Sequence, residues 1–210
     1  MLLSLDPQVL IILSFCLLFA LTFHEFAHAY VAYLCGDPTA KNLGRLTLNP
    51  FAHLDLLGSF MLLTIGLGYA KPVPVNPRNY KYNNADLYIA AAGPGMNLLL
   101  TIAGALVLKV MFNMGMLETI NFPVKTLLFW FMLINMNLCL FNLLPFGPLD
   151  GSYVLPHFLP FDLRRRYQFW NMQYGTYVLL ALMVLSYVMP AFSPFQWITV
   201  LSKTVIVAML

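Results

Sequence analysis

Long apolar runs broken by short polar stretches set the pattern of this chain. They predict helices at about 8–34, 86–112, 124–148, 168–189 and 194–210, with a shorter apolar stretch at about 52–69. A helix needs about 20 apolar residues to cross a bilayer, and the first four runs reach that length. The last run contains Ser202 and Lys203 and is short enough either to span marginally or to lie at the interface. The stretch at 52–69 holds Gly58, Gly66 and Gly68, and Pro72, Pro74 and Pro77 follow it, which fits irregular backbone better than a clean span. The expected architecture is an all-α polytopic membrane protein with about five to six membrane segments. A re-entrant or irregular element is expected between the first two long helices. No internal repeat is evident, which argues against the duplicated plan common in secondary transporters.

Composition agrees with the pattern. The chain is 60% hydrophobic and 9% charged, with a mean hydropathy of +0.77, whereas an average soluble domain is about one-quarter charged. The 210 residues have room for the membrane segments, so no separate soluble domain is expected and any function is expected to reside in the membrane bundle. The net charge of +3 comes from 11 basic and 8 acidic residues spread thinly, without the basic stripe of a nucleic-acid binder. Cys16, Cys35 and Cys139 are isolated and read as packing residues. Cys16 lies two helical turns, about 12 Å, before His24, too far to share a ligand shell with it. The first apolar run has no basic leader and is long and internally polar, so a retained first span is expected rather than a cleaved signal peptide.

Basic residues set the sidedness. Lys41, Arg45, Lys71, Arg78 and Lys81 precede the helix starting near Asp86, and Arg164, Arg165 and Arg166 lie in 149–167. Loops rich in Lys and Arg stay in the cytoplasm. Both regions share that side only if 52–69 does not cross completely. The N-terminus, with Asp6 and no basic residue, is then expected outside, and the first helix delivers its C-terminal half toward the cytosol.

That half carries His24-Glu25-Phe26-Ala27-His28. Histidines four apart project from one helix face, at the separation where two imidazole nitrogens reach one tetrahedral zinc. Glu25 stands beside them, placed to take a proton from a metal-bound water. Ionisable residues in a span cost about 2.5–3.5 kcal/mol each on insertion scales, so three within five positions call for a compensating function.

A catalytic zinc needs a third protein ligand and an open position. His53, Asp55, Asp86, Asp150 and His157 are candidates. Asp150 is favoured because Pro145, Gly147 and Pro148 unwind the end of a spanning helix, where side chains turn toward a polar cavity; a plain exposed Asp-Gly turn is the alternative, and His53 comes second. Gly93-Pro94-Gly95-Met96-Asn97 permits close helix approach and sets an amide inside the bundle, either to stabilise an oxyanion or to make an interhelical hydrogen bond. Asn135, Asn137 and Asn142 share that ambiguity.

Taken together, the His24–His28 motif, Gly93-Pro94 with Asn97, and Asn142-x-x-Pro145 leading to Leu149-Asp150-Gly151 resemble the site-2 proteases, zinc metalloproteases that cleave within membranes. Gly44–His53 and Lys71–Arg78 look like the short prokaryotic members, and the resemblance covers most of 20–152. It implies a three-helix core with one zinc on His24, His28 and Asp150, Glu25 as the base, and Asn97 and Asn142 as substrate-positioning or oxyanion-stabilising residues. It further implies a single integral-membrane metalloprotease domain over 1–210, with its catalytic core at about 8–152 and C-terminal membrane helices at about 168–210. The implied partners are a transmembrane protein or peptide substrate and the lipid bilayer of a prokaryotic cell membrane, with no nucleic acid and with the active site toward the cytoplasmic side. Gly147, where the family often has proline, departs from the pattern and is expected to loosen the turn before Asp150. No PDZ or CBS domain is expected in a chain of this length. Two rival functions, a metal transporter and a non-catalytic membrane-protein-binding scaffold, fit less well. The polar cluster sits at one depth, and Glu25 is retained beside the three predicted ligands.

Overall fold

The computed structural model describes residues 6–55, 58, 70–116, 121–189 and 193–210. Helix α1 (Pro7–Leu34) opens where the Asp6 carboxylate accepts the Gln8 N–H at 2.8 Å and Pro7 takes the first helical position, where a missing N–H costs nothing. It is followed by α2 (Ala85–Asn113) and α3 (Phe122–Asn142). Among the described residues these three are long and apolar enough to cross a membrane. Helix α4 (Phe161–Trp170), a π-helical turn (Asn171–Gly175) and α5 (Thr176–Val188) run on without a break, and α6 (Pro194–Met209) closes the order. Regular structure among the described residues is entirely helical, apart from an isolated antiparallel bridge between Leu54 and Ala70.

Two boundaries differ from the hydropathy reading. Helix α3 stops at Asn142 rather than running to 148. Pro145 restricts the residue before it to non-helical backbone, and Gly147 takes the left-handed conformation at φ 57°, so 143–150 is a series of turns. The fourth helical path begins at Phe161, not near 168, because α4 is charged, with Asp162 in its first turn and Arg164, Arg165 and Arg166 behind it, and hydropathy does not register it.

Helices α1, α2 and α3 pack on one another as a three-helix bundle. The inward face of α1 is built from small residues, including Cys16, Ala20, Ala27 and Ala32, and α2 answers with Gly93, Asn97, Thr101, Gly104 and Ala105. Small faces let backbones approach where lipid supplies no hydrophobic drive to association. Met132, Leu133 and Met136 of α3 fill the seam with Ala105, and Ile206 brings α6 against it. The outward faces carry large apolar side chains such as Ile11, Phe112, Tyr187 and Val207, each more than two-thirds exposed. Apolar surface of that extent suits lipid rather than water.

Beyond α1 the chain forms a polar knot. The buried Asp37 carboxylate accepts from the Thr39 N–H (3.1 Å) and hydroxyl (2.5 Å), the Asn76 N–H (2.6 Å) and the Asn79 amide (2.9 Å). The buried Arg45 guanidinium donates to the carbonyls of Lys71 (2.6 Å) and Pro72 (3.0 Å), and the Lys71 N–H donates to His53 O at 2.9 Å. The stretch before residue 55 is thereby tied to the stretch after 70. The irregular element expected at 52–69 itself lies largely outside the described residues.

Candidate metal centre

The site is assembled by the bundle's three long helices. Helix α1 presents His24 and His28 from one face, both buried, with ring centroids 4.7 Å apart and planes at 81°. The turns after α3 bring Asp150 against them. His24 Nε2 and His28 Nε2 are 3.0 Å apart, Asp150 Oδ2 is 3.2 Å from the first and Asp150 Oδ1 3.4 Å from the second. Ligands held tetrahedrally about 2.1 Å from a zinc ion stand about 3.4 Å from one another, so these separations suit one metal.

Helix α2 determines which nitrogens face inward. His28 Nδ1 lies 2.7 Å from the Ile89 carbonyl, which can only accept, so that nitrogen carries the proton. His24 Nδ1 lies 2.6 Å from Asn97 Oδ1. The Asn97 amide is oriented by its neighbours, since its Nδ2 donates to the Ala20 carbonyl at 3.2 Å and to Asn135 Oδ1 at 2.9 Å, and Asn135 in turn donates to the Phe131 carbonyl at 2.8 Å. His24 Nδ1 therefore carries its proton too. Ile89, Gly93 and Asn97 are spaced four apart and form one stripe of α2. Gly93 sits between the two carbonyl contacts, where a Cβ would overlap both imidazoles.

With both Nδ1 atoms protonated, neutral imidazoles turn two Nε2 lone pairs toward each other and toward a carboxylate. Among the described residues no hydrogen-bond donor reaches the buried Asp150 Oδ2. So concentrated a set of acceptors is unfavourable by itself and is relieved by a cation. The donor set, two neutral histidines and a carboxylate, fits a zinc ion.

Glu25 is also buried, next to His24, and among the described residues no hydrogen bond holds its carboxylate. Arg45 is near enough for the Glu25 charge to act on it: burial lowers the guanidinium below its ordinary range, and Glu25 works against that.

The other candidates stay outside the cluster. His53 is buried and donates from Nε2 to the Thr47 carbonyl at 2.8 Å, and Asp55 accepts the Gly58 N–H at 2.8 Å. Asp86 and His157 line a separate cleft of about 420 Å³ beside Gly147 and Asn171. Asn142, the last residue of α3, is half-buried and donates to the Leu138 carbonyl at 3.0 Å. Asn135 carries more of the arrangement than its sequence position suggests. An amide buried in an apolar helix was the available sign, and its partner on α2 was not.

Known proteins resemble this chain over most of its length. The family model for peptidase family M50 matches residues 12–126 and 110–186. The chain is 40% identical over 185 residues to "Putative zinc metalloprotease YwhC" of Bacillus subtilis, covering 87% of this chain and 82% of that one. It is 28% identical over 154 residues to "Putative zinc metalloprotease Rip2" of Mycolicibacterium smegmatis, covering 68% of this chain and 56% of that one. No solved structure matches.

Proposed function

The chain belongs to peptidase family M50 and is a site-2-protease-like intramembrane zinc metalloprotease, and on that premise we propose that His24, His28 and Asp150 hold one zinc while Glu25 moves the protons. The observation that carries this reading is the convergence of three ligand atoms, all within 4.8 Å of one another, with both Nδ1 atoms already committed to α2. Zinc held there supplies Lewis acidity, lowering the pKa of water and polarising the scissile carbonyl. Glu25 accepts a proton from the attacking water as its oxygen bonds to the carbonyl carbon, then delivers that proton to the leaving amide nitrogen as the C–N bond breaks. A carboxylate that no hydrogen bond holds among the described residues is suited to both transfers.

Asn142 is assigned to the substrate. It ends α3 just before the turns that carry Asp150, and one amide hydrogen goes to its own helix while the other stays available to a carbonyl or its oxyanion. Asn97 offers no such hydrogen, since both are donated within the bundle, and we assign it to His24.

We read 1–210 as one integral-membrane unit with its catalytic core at about 8–152 and C-terminal membrane helices at about 168–210. We count five to six membrane segments: α1, α2, α3, the segment at about 168–189, α6 and an excursion at 52–69. The pairing of Leu54 with Ala70 and the grip of Arg45 on 71–72 support an excursion that returns to the side it left. Lys41, Arg45, Lys71, Arg78 and Lys81 then share the cytoplasmic side, and the site opens toward it. The substrate is a transmembrane segment, which unwinds locally because helical carbonyls are already hydrogen-bonded.

Metal content tests the ligand set. Asp150→Ala and His24→Ala, purified beside the wild type, are expected to retain well under half the zinc of the wild type and to cut no membrane substrate. Full zinc occupancy in Asp150→Ala overturns the assignment.

A further inference from the structure

Asp150 stands at the end of the turns 143–150, with the left-handed Gly147 three residues before it. Turns with a glycine at that position do not by themselves hold a carboxylate to a few tenths of an ångström. The restraint comes from outside the three-helix core. Asn171, in the π-helical turn, accepts the Gly147 N–H on Oδ1 at 2.9 Å and donates from Nδ2 to the Gly147 carbonyl at 3.3 Å, so one amide closes both backbone groups of one residue. Four residues earlier, the Tyr167 hydroxyl donates to the Pro145 carbonyl at 3.0 Å. Contact between the backbones is close as well. A Cβ on Gly147 would lie 3.1 Å from the Gly175 carbonyl oxygen, and a Cβ on Gly175 would overlap Asn171 Oδ1. A π turn is an uncommon device, and such turns concentrate at functional sites.

We propose that Tyr167 and Asn171 are positioning residues, holding the turns 143–150 from the C-terminal helical path so that the Asp150 carboxylate stays in register with His24 and His28. This rests on the reading of Asp150 as a metal ligand. The consequence is that metal binding depends on α4 and the π turn, which supply no ligand.

The experiment uses the full chain in detergent, with wild type, Asn171→Ala, Tyr167→Phe, His24→Ala and Leu179→Ala. Leu179 is a buried apolar side chain of α5, so its truncation reports general loosening of the same helical path. Zinc dissociation constants are read by chelator competition, and the ligand field by the visible spectrum of the cobalt-loaded protein. Asn171→Ala is expected to weaken zinc by about tenfold or more, in the range for groups that orient ligands, and to alter the cobalt spectrum. Tyr167→Phe should move both readouts in the same direction by less, and Leu179→Ala should lower thermal stability while moving neither. Wild-type zinc affinity and an unchanged spectrum in Asn171→Ala overturn the proposal, as does an equal loss of affinity in Leu179→Ala. If wild type and His24→Ala alike bind no zinc, the metal site itself is wrong and the clamp falls with it, an outcome distinct from failure of the clamp alone.

Discussion

Replacing Asn97 by leucine, close to it in size, isolates what its amide does for the metal. The fully buried side chain makes three hydrogen bonds, to His24 Nδ1 (2.6 Å), the Ala20 carbonyl (3.2 Å) and Asn135 Oδ1 (2.9 Å). Leucine leaves the His24 Nδ1–H and Asn135 Oδ1 without partners, and the imidazole is free to rotate or to move its proton to Nε2, the nitrogen facing the metal. Loss of a group that orients a ligating histidine typically costs about 10–100-fold in affinity, or about 1.4–2.7 kcal/mol at about 1.36 kcal/mol per decade. The metal-free protein should lose less, about 0.6 kcal/mol for each interhelical hydrogen bond inside a membrane bundle. Zinc competition against a chelator, with a thermal melt of the metal-free protein alongside, separates the two effects. If Asn97→Leu binds zinc like the wild type yet turns over slowly, the amide acts on the substrate and the assignment to His24 fails.

Three further outcomes follow from the geometry. Gly93→Ala, whose Cβ would overlap both imidazoles, should purify with well under half the zinc of wild type by metal analysis, and a full complement would show that α2 gives way. The Asp37 carboxylate is pushed up by burial but held below its ordinary value by hydrogen bonds from Asn79, Thr39 and Asn76. Its stabilisation is therefore present above the unfolded pKa of about 3.9 and lost as pH falls through the lower folded value. Thermal melts should decline below about pH 4 in wild type and flatten in Asp37→Asn, while Asp37→Ala, which strands buried donors, should cost about 1–3 kcal/mol at neutral pH. Model transmembrane substrates with glycine or other helix-weakening residues near the cut should be cleaved faster than a rigid, uninterrupted leucine helix, and equal rates would contradict the need for local unwinding.

Much of the fold was legible because hydropathy is a local property. The runs containing α1 and α2 predicted those helices to within a residue or two, and the His24–His28 spacing identified the two histidines without any tertiary information. Asp150 was favoured over His53 by the helix-breaking Pro145, Gly147 and Pro148, and the structure brings Asp150, not His53, to the histidines. What was hidden depends on distant partners. Gly147 was expected to loosen its turn, and instead Asn171, 24 residues on, closes both its backbone groups. For Asn135 an interhelical hydrogen bond is one of the two roles the sequence offers, and only the fold supplies the partner, Asn97, 38 residues away on another helix. The charged α4 escaped notice since hydropathy does not see a polar helix, and its turns position residues only through the packed fold.

The most direct test of the account compares wild type with Glu25→Gln, measuring zinc content and cleavage of one model transmembrane substrate in the same liposomes. Both proteins should carry about one zinc, since Glu25 is not among the proposed ligands, and only the wild type should cut. Cleavage at the wild-type rate by Glu25→Gln, or by wild type stripped of its metal, would contradict the claim that Glu25 moves protons beside a zinc held by His24, His28 and Asp150.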